Sequence, residues 1–521
     1  MRVIVVTGMM AERTVKRYAS MIKLDIDVLV LPISVAAFIT PEYAAEYLKK
    51  EDLHGYDMIL MPGAVRGDVA LIEKATGVPT FKGPIHAADL AISFMEGLKL
   101  SKVLPASDFA KNLIRERAEA EIKKIKEKWH EIYVEHSGLI IGSRDNQIPI
   151  GSSFPMPVIA EIVNAPQRGL DEIGKLAKYY ASEGAEIIDI GMLAGTPMPA
   201  KIEKIVDTLR NSVNLPLSID TLNEDEIKAA ANSGIDLVLS LDAGNIDEVS
   251  NEVIDTPVVV LPSNMKKGEL AKDAVKRVDD LEKNIEHAKD LGLKKIIADP
   301  VLEPAFQPGL MNSLRAYQLF RERNHETPML FGLGNVTELI DVDSIGVNGL
   351  LTALAYEVGA NMLFTPEFSV KVKGSVRELA TASKMMFLAR NKTTVPKDLG
   401  IDLLVLKEKR WVEEPYAEHE VPKARIIKSI EEVDFTPDKT GWFKIQIDRE
   451  NKMIEALFYH NNEEKPSAIV KGKEVTEIYQ TIIRERMVEK LDHAAYLGKE
   501  LGKAELALKL GRAYVQDEDL F

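Results

Sequence analysis

Between about residue 155 and 390 the chain repeats one pattern, a short apolar run followed by a longer stretch with helical spacing. The apolar runs are PVIAEIVN, AEIIDIG, PLSID, IDLVLSL, TPVVVLP, KKIIADP, PMLFGLG and ANMLFTP. Each is short, rich in branched aliphatics and closed or directly followed by a polar residue, Gly or Pro, which reads as a strand. Stretches such as LDEIGKLAKYYASEG, NEDEIKAAANSG and VNGLLTALAYEVGA lie between them, several ending in the glycine of a helix C-cap. Eight strand–helix units over roughly 235 residues predict a (β/α)8 barrel. A doubly wound open sheet is the alternative, and the unbroken run of units favours the barrel.

The flanks change pattern. RVIVVTG, IDVLVLP and YDMILMPG alternate with helical stretches and predict a small parallel α/β layer of Rossmann-like or flavodoxin-like type. The charged stretch AKNLIRERAEAEIKKIKEKWHEI extends it as a connecting helix, giving a domain over 1–135. GLIIGSRDNQIPIGSSFP, rich in turn formers, reads as a boundary before a barrel domain over 150–392. In 400–521, GWFKIQIDRENKMIEALFYH alternates like an antiparallel hairpin and is followed by one or two amphipathic helices, an α+β module.

Composition narrows the setting. The 521 residues carry a net charge of −15, against any general affinity for nucleic acid or anionic membrane. With no cysteine there are no disulfides, thiolate metal sites or thiol nucleophiles, and a reducing cytoplasm is expected. No apolar run approaches the ~20 residues of a membrane span, and the N-terminus opens in a strand-like run without a signal-peptide pattern. Lys/Glu-rich helices without cysteine lean towards a thermophile.

The strand ends carry the candidate chemistry. At or just past them stand Asn164, Asp189, Asp220, Asp242, Asn264, Asp299, Asn335 and Glu367. One such residue is readily a helix N-cap. The same feature on every strand predicts a polar ring facing a ligand, because this face carries the site in barrels. A hard ion such as Mg²⁺ could be shared by Asn164 and Asp242, but no His or Cys accompanies them. A flat heterocycle with adjacent N–H donors suits the ring better, since a carboxylate accepts two parallel hydrogen bonds from an amidine-like edge. The 2-amino-4-oxo edge of a pterin is such a group. In the eighth unit, Lys373 and Ser375 flank Gly374 at a helix start. That is either an anion site or a plain N-cap beside a solvated lysine.

The motifs EGAEIIDIG (183–191), PLSIDT (216–221) and IIADPVLEP (296–304), in this order, resemble those of the pterin-binding barrels, the dihydropteroate synthases and methyltetrahydrofolate methyltransferases. The three-part layout is similar to archaeal dihydropteroate synthase-related proteins, whose hosts use methanopterin-type carbon carriers. The resemblance implies that Asp220, Asp242 and Asp299 hold the pterin, with Asp299 on the pyrimidine edge. It places Asn164 near a metal or pyrophosphate, and Lys373 and Ser375 in a synthase's anion-binding motif. Two departures divide the reaction: NAPQRG replaces the synthases' extended first loop, and Asn335 stands where a synthase has a lysine, as in the methyltransferases.

Three functions follow. The first is a synthase joining a 6-hydroxymethyl-dihydropterin diphosphate to an arylamine, with Lys373 and Ser375 on the diphosphate. The second is methyl transfer from a methyl-tetrahydropterin to a corrinoid protein, with Asn335 as the key residue. The third is a pterin-binding protein without catalysis. Barrels of this family often pair, so a homodimer stays open. His493 reads as an ordinary helix-face histidine rather than a cobalt ligand. In the N-terminal domain, Arg66, Asp68, Lys82 and His86 are expected either as a second small polar site or as residues reaching over the barrel mouth.

Overall fold

The computed structural model describes residues 1–135, 139–143, 145–409, 425, 427, 429 and 436–521. They divide into two compact units, Met1–Glu367 with Gly374–Leu403, and Phe368–Lys373 with Leu404–Phe521. Among the described residues no helix is long and apolar enough to cross a membrane.

The chain begins with β1 (Arg2–Gly8), β2 (Asp25–Leu31), β3 (Met58–Met61) and β4 (Thr80–Lys82), a parallel sheet in the order β2-β1-β3-β4. Both faces of it are covered. Ile4, Val6, Ile59 and Met61 enter one apolar cluster, and Val3, Val5, Met58 and Leu60 the other. A run hydrophobic at every position is what a sheet buried on both sides requires. The helix Ala106–Glu127 then packs Ala118 and Ile122 against Phe387 and Leu388 of the helix Ser375–Asn391.

The passage read as a boundary is instead structured in part. It forms a hairpin, β5 (Leu139–Ile141) and β6 (Ile148–Ile150), whose Ile141 and Ile150 are fully buried. They share a cluster with Ile159, Ile187, Leu237, Val259, Ile297, Leu330 and Met362, inward residues at the strand starts. The hairpin thus plugs the lower end of the barrel. Its alternation was masked by the glycines and serines around it.

The eight predicted barrel strands are all present. They are β7 (Val158–Ile162), β8 (Ile187–Gly191), β9 (Leu217–Asp220), β10 (Leu237–Leu241) and β11 (Val258–Val260). A two-residue ribbon follows, β12 (Ser263–Asn264) with β13 (Glu269–Leu270), and then β14 (Ile296–Ala298), β15 (Leu330–Gly332) and β16 (Met362–Pro366). The parallel order β14-β11-β10-β9-β8-β7-β16-β15 is closed by a bridge from Ala298 to Met329, where Ala298 N–H donates to Pro328 O at 2.8 Å. The result is a closed (β/α)8 barrel. Val158, Ala160, Ile188, Ile190 and Ile219 face the helices in the outer core, so the alternate positions face inward.

The second unit holds an antiparallel sheet of β17 (Trp442–Asp448), β18 (Met453–Tyr459) and β19 (Ala468–Gly472) with helices Val475–Arg484 and Leu491–Leu510. Asp438 accepts the backbone N–H groups of Glu489 and Lys490, both at 3.0 Å, and sits 3.1 Å from His493 Nδ1. His493 is therefore engaged in the start of the last helix, with burial of its side chain to match.

Candidate active site

Above the apolar floor the barrel interior turns acidic on three neighbouring strands. Register sets Glu161 beside Asp189, Asp189 beside Ser218, and Gly191 beside Asp220. The Glu161 carboxyl lies across Gly191, where any Cβ would collide with its Oε1. Asp189 is fully buried; its Oδ1 accepts from the Ser218 hydroxyl at 2.6 Å, and its Oδ2 has no partner among the described residues. Asp220, half-buried, accepts from the Ser240 hydroxyl at 2.6 Å.

These carboxyls cannot all ionise together. Burial, then Asp220 and Glu338, push Glu161 up to about 8. Burial, then Asp220 and Glu161, hold Asp189 well above the usual carboxylate range, and burial raises Asp220. The cause is desolvation joined by like charge.

Across the barrel, Asp299 follows β14. Its Oδ1 accepts both the Tyr317 hydroxyl at 2.7 Å and the Val301 N–H at 2.8 Å. Burial raises it to about 6, against the pull of those two hydrogen bonds. Val301 has φ +69°, an uncommon conformation for a β-branched residue and one that concentrates at functional sites. The fully buried Arg277 steadies this turn from behind, donating to Val301 O at 3.1 Å and Ala271 O at 2.8 Å and pairing with Glu303. Both donors to Asp299 meet one oxygen, and no described residue donates to Oδ2.

Other expected residues are committed elsewhere. Asp242 accepts Gly244 N–H at 2.7 Å on one oxygen, and Ser263 hydroxyl at 2.8 Å and Met265 N–H at 2.7 Å on the other. It clasps the loops after β10 and β11, with little capacity left for a pterin or an ion. Glu367 accepts the Tyr179 hydroxyl at 3.2 Å and Val376 N–H at 3.0 Å, so an internal carboxylate occupies the helix start expected to take an anion. Ser375, fully buried, accepts from Asn348 Nδ2 at 3.0 Å and belongs to helix packing rather than to an open anion site. Lys373 groups with the second unit.

Asn335 is exposed in the short helix Gly334–Thr337 after β15 and donates from Nδ2 to Leu302 O at 2.8 Å. Asn164 takes a left-handed conformation, φ +53°, after β7. Asn264 Oδ1 is buried without a partner among the described residues. The Mg²⁺ site expected of Asn164 and Asp242 does not fit: Asp242 is spent on its loops, and the described residues contain no group of three His, Asp or Glu placed to hold a metal. In the N-terminal domain Lys82 is buried and donates to Val65 O at 2.6 Å and Val103 O at 2.8 Å, while Asp68 Oδ1 accepts Ala70 N–H at 2.8 Å just before a short helix. Both hold loops.

Three contributors escaped the sequence reading. Glu161 had a signal, as the one charged residue in VIAEIV with the same parity as Ile159. Tyr317 and Arg277 had none, since each comes from a neighbouring helix and meets its partner only through the fold.

Over the whole chain, and 99% of the relative, the sequence is 42% identical to the uncharacterized protein MJ0107 of Methanocaldococcus jannaschii. The chain belongs to that archaeal family. Its barrel, residues 165–364, matches the family model described as pterin binding enzyme. Residues 437–517 match PterinBD-DUF4346, and residues 1–85 a family of unknown function, DUF6513. Dihydropteroate synthase from Stenotrophomonas maltophilia is 19% identical, covering 46% of this chain and 94% of its own, with a TM-score of 0.38. The Xanthomonas albilineans synthase, solved with 7,8-dihydropteroate, is 18% identical over 49% of this chain and 99% of its own, with a TM-score of 0.39. In this chain the segment that matches the pterin binding enzyme model thus lies between the two other matched segments.

Proposed function

We propose that the protein is a pterin-dependent transferase whose barrel holds the 2-amino-4-oxo edge of a reduced pterin on Asp299, with Asp220 on a neighbouring donor. The carrying observation is the one-sided hold on Asp299, which fixes Oδ1 through Tyr317 and Val301 and leaves Oδ2 to accept. Oδ2 has two acceptor directions, which suits adjacent N–H groups on that edge.

Between the two reactions, the site favours methyl transfer from a methyl-tetrahydropterin. A departing diphosphate needs positive charge or a vacant helix start, and here Glu367 fills that start while Ser375 is buried. Asn335 keeps its carbonyl oxygen for the ring, because its amide is the group anchored to Leu302. A corrinoid protein is the acceptor this reading calls for. The synthase reading, with an arylamine acceptor, keeps the sequence motifs in its favour and relies on Lys373.

Parallel calorimetric titrations separate them. Binding of a methyl-tetrahydropterin that weakens in Asn335→Ala is the expected result. Tight binding of 6-hydroxymethyl-dihydropterin diphosphate with Mg²⁺, lost in Lys373→Ala, would establish the synthase instead. Binding of neither would remove the pterin assignment.

A further inference from the structure

We infer that Glu161 is a neutral hydrogen-bond donor of the pterin site, reading an acceptor on the ring while Asp299 reads its N–H edge. This rests on the pterin assignment above and names a specificity-determining residue within it.

A pterin ring presents acceptors as well as donors: its 4-oxo oxygen and any unprotonated ring nitrogen need an N–H or O–H opposite them. Ionised carboxylates offer none. On the three acidic strands the described side-chain hydrogen bonds are Ser218 to Asp189 and Ser240 to Asp220, and both hydroxyls are thereby committed. Within these strands a carboxyl that keeps its proton is the remaining side-chain source of a donor. Glu161 has the placement for it. Its strand position faces the interior, Gly191 leaves room for its carboxyl, and it is half-buried, so the mouth of the barrel reaches it.

Burial and the negative charges facing Glu161 favour its protonated form. Asp220 lies two strands along on β9, Glu338 follows β15, and Asp189 sits directly beside it on β8. Tyr180, on the helix after β7, also feels the Glu161 charge. Asp299 differs in having two donors on one oxygen, which favours its ionised form. Two carboxyls in one site are thus driven apart, one acid and one carboxylate.

Glu161 up to about 8 and Asp299 at about 6 give a window. Below it Asp299 gains a proton and loses an acceptor. Above it Glu161 loses its proton and becomes a third negative charge beside the ring.

The test is the affinity of the full-length protein for 6-hydroxymethyl-7,8-dihydropterin, whose own ring protons do not titrate across this range, followed from pH 5 to 9.5. Wild type should bind best inside the window and fall off on both sides. Glu161→Gln keeps an N–H donor that cannot ionise. It should hold wild-type affinity at pH 7 and remove the alkaline fall. Glu161→Leu should lose about tenfold at pH 7, with unchanged circular dichroism confirming that it folds. If the Gln and Leu variants weaken alike, or the alkaline fall persists in Gln, the donor role is overturned. If wild type binds no dihydropterin at any pH, the pterin assignment fails, and the inference with it.

Discussion

Asp242 and Asp299 follow strands of the same barrel and end in the same kind of loop, yet they do opposite work. Asp242 takes three donors from the protein, spread over both oxygens. Asp299 takes two, both on Oδ1. A carboxylate has about four acceptor directions, so how the protein's donors are shared between its oxygens decides whether a ligand can be held. Asp242 is a clasp and Asp299 an offered edge. Position at a strand end nominates a residue; its hydrogen-bond inventory assigns the role.

The largest effect expected from this contrast is on ligand affinity. Asp299→Ala should weaken dihydropterin binding by about 100-fold, the scale of losing two hydrogen bonds to a charged acceptor, with the smaller loss of stability of the two variants, because it strands one N–H and one hydroxyl but also removes a carboxyl that burial disfavours. Asp242→Ala should do the reverse. It strands two N–H groups and a hydroxyl, costing about 2–4 kcal/mol of stability, while affinity of the folded fraction changes much less. Denaturant midpoints and calorimetric affinities on both variants decide it. Equal loss of affinity would show that Asp242 also touches the ring and would erase the contrast.

The two residues also mark how far the sequence could be read. The strand pattern was legible because each barrel strand packs an outer face on helices and an inner face on the floor, so runs such as KKIIADP carry their burial in their composition. Asp189, Asp220 and Asp299 were legible as inward or strand-end polar residues. That Asp242 and Glu367 were already consumed was not legible, because Met265, Ser263, Tyr179 and Val376 reach them from other segments. Nor was the hairpin β5–β6 legible as a plug: Ile141 and Ile150 are two apolar positions in a passage of turn formers, and only the open lower end of a barrel gives them something to bury against.

A subtler change should tune Asp299 without removing it. Tyr317 is fully buried, and its hydroxyl donates to Asp299 Oδ1 at 2.7 Å. Asp299 sits at about 6 because burial raises it and this hydrogen bond, with that of Val301, holds it down. Tyr317→Phe removes one stabiliser of the ionised form, so the carboxyl should rise above 6. The ligand needs the carboxylate, and the acid limb of the binding profile should therefore move to higher pH, while affinity on the plateau above it changes only a few-fold. Stability carries the same sign. A carboxyl raised above its unfolded value contributes stability that is complete at low pH and is lost as pH rises through the folded value, so the variant should lose stability over a range that ends at higher pH. An acid limb that stays where it is in wild type would mean that Val301 N–H alone sets Asp299, and that the offered edge owes nothing to Tyr317.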